Sequence, residues 1–219
     1  MRRVTVWLRP RQFHDSAGVG DWRVLAPSVA AHFRTGSFAV GVALVDAIAA
    51  LGELGSAAPE VDLRHSGVTV RLVGDIEHGL REEYVELARR ISAAAAELGA
   101  VADPGAVQEV QITIDALDIG AVRAFWQAVL GYREVGEEDL LDPLGHGPSL
   151  WFQQLDAPRP QRNRMHVDLF VPPDQAERRV AAALTAGGRL IDDRHAPTWW
   201  ALADPEGNEV DVATWLGRD

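Results

Sequence analysis

Acidic and imidazole side chains lie near each other in the sequence at two places. Asp75 falls between His65 and His78, and an aspartate joined to a histidine can act as a general base and acid near neutral pH. Both histidines lie in turn-like segments, where exposed histidines without a catalytic role are common. His166 lies two residues before Asp168, a candidate hydrogen-bond partner for its ring. Proton transfer is therefore one chemistry that these residues can perform. The alternative for His166 is a polar side chain that lines a cavity.

Large aromatic residues and one arginine supply candidate ligand contacts in the second half of the chain. Trp151, Trp199 and Trp200 offer flat surfaces suited to an aromatic or cyclic ligand, although core packing is the ordinary role of each. Arg164 ends a segment rich in arginine and proline. Its guanidinium can meet an anionic ligand there, or the segment is simply a surface loop.

Composition excludes several function classes. The chain has no cysteine, so a disulfide framework, a thiolate metal site and a cysteine nucleophile are all ruled out. It also lacks a P-loop, a dinucleotide-binding glycine motif and a serine nucleophile elbow. The 21 basic residues are all arginine, and the net charge of −11 disfavours nucleic acid and anionic membranes as partners.

The hydrophobic pattern predicts a soluble protein of two domains. No apolar run approaches the roughly 18 residues of a membrane span, and the first residues lack the apolar stretch of a signal peptide, so we expect a cytoplasmic location. A segment at 98–105 with a Pro-Gly turn signal follows an alanine-rich helical pattern and is interpreted as a linker. We therefore predict domains at 1–103 and 107–219, both of the α+β class.

In the first half, the pattern predicts an antiparallel sheet covered by helices. Short strands are expected at 22–25, 30–33 and 68–72. Apolar residues at helical spacing predict one helix that begins after Ser37 and ends near Leu54. They predict a second helix whose apolar stripe runs from Tyr84 to Ala95.

The second half contains an internal repeat, in which each copy runs strand, helix and then three strands. The first copy is predicted to begin with a strand at 109–115, followed by a helix that Asp118 caps and Gly131 ends. The second copy begins with a strand at 164–171 and a helix that opens at Asp174. The last two strands of this copy are expected at 198–202 and 209–213.

Three segments of the second half match a known superfamily: QITIDALDIGAVRAFWQAVLGY, LWFQQLDAPRPQRNRMHVDLFV and WWALADPEGNEVDV. They resemble the vicinal oxygen chelate proteins, in particular the glyoxalase-like and bleomycin-resistance-like members. The resemblance implies paired βαβββ modules that form an incomplete barrel around a cavity. It also implies a divalent metal in the enzymes of that family, held by side chains from the first and last strand of each module.

Transferring the family's pattern gives four candidate metal ligands. Gln111 and His166 occupy matching places on the strands that open the two modules. Asp211 follows the DPEGN turn on the last strand, and Gln153 is assigned to the remaining position. An imidazole and a carboxylate suit a divalent ion, whereas two neutral amides weaken the site. Many relatives bind no metal, so the cofactor is either one divalent ion or none.

Two segments of the first half, FRTGSFAVGVALVDAIAALGELGSAAPE and VTVRLVGDIEHGL, resemble the pterin-4a-carbinolamine dehydratases. The residues with which that family transfers protons are replaced here. Ala57 and Ala58 stand in place of a histidine pair, Gly74 and Asp75 in place of a threonine-histidine pair, and Tyr84 in place of an aspartate. Asp75 is the remaining candidate for catalysis. Since authentic members assemble through this domain, the resemblance also implies a homo-oligomer.

Three functions from different classes follow. The chain is an enzyme of lyase, isomerase or dioxygenase type that acts on a small cyclic or aromatic metabolite in the glyoxalase-like cavity, with the first domain used for assembly. Alternatively, it sequesters a metabolite or an antibiotic without catalysis. The third function, a working 4a-hydroxytetrahydrobiopterin dehydratase, is contradicted by Ala57 and Ala58, because alanine can move no proton.

Overall fold

The protein consists of two compact units, Met1–Glu109 and Val110–Asp219. The structure is a computed structural model that describes residues 5–25, 28–51, 58–75, 78–158, 165–214 and 216. Within these residues, every helix is too short or too polar to cross a lipid bilayer.

The first unit is a mixed α+β unit with one main antiparallel sheet. Its elements are β1 (Trp7–Leu8), α1 (Pro10–His14), β2 (Arg23–Leu25), β3 (Ser28–Arg34), α2 (Phe38–Ala49), β4 (Glu60–Arg64), β5 (Gly67–Val73), β6 (Leu80–Arg81), α3 (Glu83–Glu97) and β7 (Val101–Ala102). The main sheet has the order β2-β3-β5-β4, and β1 pairs separately with β6. Helix α2 contacts both β4 and β5, and it also contacts α3.

Local sequence explains the helices of this unit. Ser37 accepts a hydrogen bond through its side chain from the amide of Val40 at 3.3 Å, which satisfies one free donor at the start of α2. Helix α3 buries its predicted stripe of Tyr84, Leu87, Ala88, Ile91 and Ala95. Helix α2 ends at Ala49, before the predicted end at Leu54, which lies outside the described residues.

The segment predicted to be a linker is instead part of the first unit. Val101 and Ala102 form β7, which pairs with β3 opposite Arg34 and Phe33. The amide of Asp103 then donates to the carbonyl of His32 at 2.8 Å. The Pro-Gly pair at 104–105 does follow the end of the alanine-rich helical pattern. The residues just before this pair extend the main sheet of the first unit, which the sequence alone does not reveal.

The second unit contains the predicted repeat. The first module has β8 (Gln111–Ala116), α4 (Ile119–Leu130), β9 (Arg133–Val135), β10 (Asp139–Leu141) and β11 (Ser149–Gln154). The second has β12 (Val167–Phe170), α5 (Pro173–Thr185), β13 (Arg189–Asp192), β14 (Trp199–Ala203) and β15 (Glu209–Ala213). The sheet orders are β8-β11-β10-β9 and β12-β15-β14-β13. In each module the first strand is parallel to the last, and the other pairs are antiparallel.

Capping residues fix the helix that follows each opening strand. Asp118 accepts a hydrogen bond from the amide of Ala121 at 3.0 Å, and Gly131 ends α4 in the left-handed region at φ 71°. Helix α5 begins one residue before Asp174, because Pro172 is its N-cap and Pro173 supplies a φ already suited to a first turn. Strand β8 begins later than the predicted residue 109, and β12 begins at Val167.

Strand alternation divides each sheet of this unit into a core face and an open face. The core contains Ile114, Phe152, Leu202, Val210 and Val212, together with the inward faces of α4 and α5, which contact each other. Since successive residues of a strand point to opposite faces, the neighbours of these residues lie on the other side of each sheet. That open face carries the polar residues considered below.

Candidate functional site on the second unit

Three ionisable residues converge on the open face of the second module. The Nε2 atom of His166 is 3.3 Å from Oδ1 of Asp168 and 3.9 Å from Oδ2 of Asp211. One nitrogen or oxygen of each side chain lies within 4.8 Å of the other two, the only such group among the described residues. We call these three residues the His-Asp-Asp cluster.

Local structure accounts for this convergence. Asp168 lies directly opposite Asp211 in the parallel pair β12–β15. Val167 and Leu169 pack against the core, so Asp168 points to the open face, and His166 emerges on the same side just before the strand begins. The side chains of His166 and Asp168 are 46% and 55% exposed, and that of Asp211 is 24% exposed, so the cluster is accessible to a ligand.

The chemistry of the cluster fits a divalent cation. Imidazole nitrogen and carboxylate oxygen are common ligands of Mn²⁺, Zn²⁺ and Fe²⁺. Three protein ligands leave further positions for water or for oxygen atoms of a bound molecule. Without a cation, the same contacts join the imidazole of His166 to two carboxylates.

The two predicted amide ligands lie apart from each other. Gln111 is opposite Ser149 and donates through Nε2 to its Oγ at 3.3 Å. Gln153 is opposite Asp115, four residues further along β8, which corresponds to about 13 Å along the strand. The structure therefore brings His166 and Asp211 together but does not bring Gln153 to Gln111.

The strand register identifies the counterparts of the cluster in the first module. In β8 and β11, Thr113 is opposite Trp151, just as Asp168 is opposite Asp211 in the second module. If Gln111 is matched to His166, the first module presents an amide, a hydroxyl and an indole. Its equivalent positions therefore contain no carboxylate.

A carboxylate does lie beside Trp151 on the neighbouring strand of the first module. Asp139 is opposite Trp151, and Trp151 donates through Nε1 to Oε2 of Glu138 at 3.1 Å. Burial, followed by the nearby charge of Glu138, raises the pKa of Asp139 above its ordinary value. Asp139 and Trp151 are half-buried, whereas His166 and Asp168 of the cluster are exposed.

The candidate aromatic contacts separate onto the two faces. Trp199 is opposite Ala213 and shares the open face with Asp211, whereas Trp200 is opposite Val212 and packs against the core. Trp200 therefore lies on the core side of its sheet, away from the open face, and its role as a ligand contact stays a prediction. Trp199 stacks on His195 with ring centroids 4.1 Å apart and an angle of 14°. Arg164 lies outside the described residues.

A cavity of about 440 Å³ lies between the opening strands of the two modules. Apolar side chains of Ile112, Trp126 and Met165 form part of its wall, and His166 from the cluster also reaches it. Its remaining polar side chains include Thr113, Asp115, Glu206, Asn208 and Glu209. The size is that of a site for a small organic molecule.

The DPEGN turn has a structural role that its sequence alone did not indicate. Asp204 is fully buried and accepts hydrogen bonds from Nε1 of Trp126 at 3.0 Å and from Nδ2 of Asn208 at 2.7 Å. The carboxylate of Glu206 accepts from the amides of Leu117 and Asp118 at the start of α4. The turn of the second module is thus fastened to the helix of the first, beside the cavity.

In the first unit, the structure brings Asp75 to His78 but gives Tyr84 a structural contact. Nδ1 of His78 is 2.8 Å from Oδ1 of Asp75, and Trp7 stacks on the imidazole with centroids 5.2 Å apart. Tyr84 is buried and donates through its hydroxyl to the carbonyl of Val73 at 2.6 Å, and burial raises its pKa. His65 lies in the turn between β4 and β5, and Ala57 lies outside the described residues.

The paired modules of the second unit coincide with the part of the chain that matches a known family model. Residues 111–213 match the family model described as "Glyoxalase-like domain". A search of curated protein sequences found no match. The pterin dehydratase resemblance of the first unit stays a prediction.

Similar solved structures cover about half of this chain. One is a glyoxalase/bleomycin resistance protein/dioxygenase family enzyme from Burkholderia phytofirmans PsJN, with 22% identity over 48% of this chain and 97% of that chain at a TM-score of 0.40. A glyoxalase-related enzyme from Fulvimarina pelagi has 19% identity over 49% and 87%, with a TM-score of 0.40. A mutant of the fosfomycin resistance protein FosX from Listeria monocytogenes, complexed with Mn(II) and dihydroxypropylphosphonic acid, has 13% identity over 49% and 89%, with a TM-score of 0.39.

Proposed function

We propose that the second unit binds a small organic molecule next to a divalent cation held by His166, Asp168 and Asp211. The observation that carries this proposal is the convergence of one imidazole and two carboxylates within 4.8 Å on an accessible sheet face. The adjoining cavity of about 440 Å³ supports a ligand of metabolite size.

The proposed ligand set differs from the one that the family pattern implies. It replaces the amides of Gln111 and Gln153 with the carboxylate of Asp168, and it comes from the second module alone. A set with two negative charges attracts a divalent cation more strongly than a set with two neutral amides. Bound there, the cation would act as a Lewis acid that polarises an oxygen atom of the ligand.

The reaction proposed is of the lyase, isomerase or dioxygenase type on a cyclic or aromatic metabolite. The cluster suits such chemistry because a cation held by its three side chains would polarise an oxygen atom of the ligand and so make a neighbouring C–H group more acidic.

Sequestration without catalysis is a second candidate, and the first module favours it. The positions equivalent to the cluster carry Gln111, Thr113 and Trp151, none of which is a general acid or base near neutral pH. Mass spectrometry of a bound probe such as 2-hydroxybenzoate after incubation in air separates the two functions. Recovery of unchanged probe supports sequestration, and a new product supports an enzyme.

A Mn(II) titration tests the proposed cation site. Chelator-treated protein is titrated while free Mn(II) is followed by electron paramagnetic resonance, for the wild type and for His166→Ala and Asp211→Asn. We expect one equivalent to bind, with affinity at least ~10-fold lower in both variants. His78→Ala is the matched control, because His78 also contacts an aspartate at 2.8 Å but no third ligand lies beside it among the described residues. Unchanged affinity in His166→Ala and Asp211→Asn would refute the site.

For the first unit, the proposed role is assembly into a homo-oligomer. Helix α2 leaves Phe38 and Val42 51% and 38% exposed, one turn apart on the same side. Light scattering after gel filtration should give a mass above one chain, and Phe38→Asp should lower it. Leu144→Asp is the control, because Leu144 is an exposed apolar residue of the other unit. A monomeric wild type would refute the assembly role.

A further inference from the structure

We infer that the turn at 142–147 is a lid of the ligand site, and that Leu144 fastens this lid to the prolines at the start of α5. This inference rests on the proposed function and adds a conformational step to it. It comes from a comparison of two turns that the internal repeat places at equivalent positions. We call residues 142–147 the first-module turn and residues 204–208 the second-module turn.

The two turns share their backbone hydrogen bonds. Each connects the third and fourth strands of its module and begins with an Asp-Pro pair. Asp142 accepts a hydrogen bond through its side chain from the amide of Leu144 at 3.0 Å, and Asp204 accepts one from the amide of Glu206 at 2.9 Å. Each aspartate also accepts from the amide four residues further on, at 2.9 Å. Leu144 therefore occupies the position of Glu206.

The second-module turn shows what such a turn does when it is fastened. The carboxylate of Glu206 accepts from the amides of Leu117 and Asp118 at 2.7 Å, at the start of α4 in the other module. Held in this way, residues 206–208 line the cavity of about 440 Å³ beside strand β8. A fastened turn of this type is therefore a wall of the ligand cavity.

The third residue of each turn matches the chemistry of the helix start in the opposite module. The start of α4 offers backbone N–H donors, and the second-module turn carries the carboxylate of Glu206. The start of α5 is Pro172 and Pro173, which have no N–H group and present apolar rings. The first-module turn carries Leu144, which is also apolar. A leucine against two prolines is thus the apolar counterpart of a glutamate on two amides.

The first-module turn is open in this structure. Leu144 is 76% exposed, and Pro172 is exposed as well. Phe170, two residues before Pro172, is 60% exposed. If Gln111 is matched to His166, Phe170 has the position of Asp115, which lines the cavity together with the second-module turn. Closure of the first-module turn onto α5 would cover these three apolar side chains, and the removal of such surface from water is favourable.

The charges of the His-Asp-Asp cluster make closure depend on the bound cation. Phe170 lies two residues after Asp168 on the same face of β12, a distance of about 6.6 Å. A turn closed over Phe170 removes water from the neighbouring carboxylates of Asp168 and Asp211, which is unfavourable for charges that are not neutralised. A divalent cation between these carboxylates offsets that penalty. The closed turn then excludes water from the bound ligand.

A pair of introduced cysteines tests the contact, because the chain has no cysteine of its own. Leu144→Cys/Pro172→Cys is treated with diamide in EDTA, and again with Mn(II) and 2-hydroxybenzoate, while the loss of free thiols is followed. A disulfide forms only when the two Cα atoms come within about 7 Å of each other. We expect the disulfide to form at least ~10-fold faster with Mn(II) and 2-hydroxybenzoate than in EDTA.

Two further cysteine pairs are the controls. Glu206→Cys/Leu117→Cys replaces the contact of the second-module turn, which is present in this structure, and should form its disulfide equally fast under both conditions. Leu144→Cys/Thr185→Cys keeps the first cysteine and moves the second to the other end of α5, about 18 Å from Pro173. This pair should form no disulfide under either condition.

The possible failures are distinguishable. If the Leu144→Cys/Pro172→Cys pair reacts no faster than the pair with Thr185→Cys, or reacts equally fast in EDTA and with Mn(II), the turn is not a lid of the ligand site and the proposed function stands. If the wild type binds no Mn(II), the proposed function fails and this inference fails with it.

Discussion

Asp168 and Asp211 lie directly opposite each other on adjacent parallel strands, and both carboxylates are within 4 Å of the same His166 nitrogen. Like charges directly opposite in a sheet destabilise it unless a positive charge lies between them. The arrangement therefore costs stability when the cluster is neither protonated nor loaded with a cation, and a cation offsets that cost.

Asp168→Asn is expected to change stability in opposite directions with and without Mn(II). In EDTA the variant loses the repulsion with Asp211, and its free energy of unfolding should rise by about 0.2–1 kcal/mol. With Mn(II) at about 100 times its Kd, the wild type gains about 2.7 kcal/mol and the variant gains less, so the order reverses. Chemical denaturation measures both, and Asp174→Asn on α5 is the control. An equal difference under both conditions would contradict the account.

Asp204 is expected to be a major stabilising residue of the second unit. It is fully buried and accepts bonds from Trp126, from the amides of Glu206 and Asn208, and from the Asn208 side chain. Asp204→Ala should lower the free energy of unfolding by about 3 kcal/mol, because it leaves buried donors unsatisfied. Glu206→Ala, which removes exposed capping bonds, should cost only about 1 kcal/mol. If the two variants lowered the free energy of unfolding equally, burial of the Asp204 hydrogen bonds would not determine their contribution to stability.

The raised pKa of Asp139 predicts a pH-dependent effect of Asp139→Asn. Burial and then Glu138 favour the protonated carboxyl in the folded protein, so the ionised form destabilises the fold as pH rises through the raised pKa. The variant removes this penalty and should unfold at a higher temperature than the wild type at pH 7. Below the ordinary carboxyl range both states are protonated and the difference should vanish. A difference independent of pH would mean that the substitution acts through packing.

The first unit is expected to show no meaningful carbinolamine dehydratase activity. The dehydratase resemblance predicts that Tyr84 takes the place of an aspartate, and its hydroxyl donates to the Val73 carbonyl; Ala58 cannot transfer a proton. Each lost general acid or base normally lowers the rate by about 10²–10⁴-fold. A direct assay with a pterin carbinolamine measures this. Turnover comparable with an authentic dehydratase, lost in His78→Ala, would instead assign the Asp75–His78 pair a catalytic role.

Features that depend on short stretches of sequence were predictable. The cap at Asp118, the stop at Gly131 and the strand at 209–213 are set by local residue chemistry, and the structure has all three. The family resemblance also assigned His166 and Asp211 to one site, and the structure has them 3.9 Å apart. Strand alternation also implies that Trp199 and Trp200 lie on opposite faces of β14.

Features that depend on strand register were not predictable. The residue opposite Asp168 is decided by the length and path of the connections between β12 and β15, which no local pattern encodes. For that reason the sequence predicts Asp168 only as a hydrogen-bond partner of His166. Likewise, if Gln111 is matched to His166, the register of β8 and β11 gives Trp151 the position equivalent to Asp211, which no local pattern reveals.

The most direct test of the proposed cation site compares Asp168, which the family pattern does not imply as a ligand, with Gln111 and Gln153, which it does. Mn(II) affinity is measured for Asp168→Asn, Gln111→Ala and Gln153→Ala under identical conditions, with circular dichroism to verify folding. The account predicts at least ~10-fold weaker binding for Asp168→Asn and an affinity within a factor of about two of the wild type for both glutamine variants. Loss of binding in the glutamine variants with none in Asp168→Asn would contradict it.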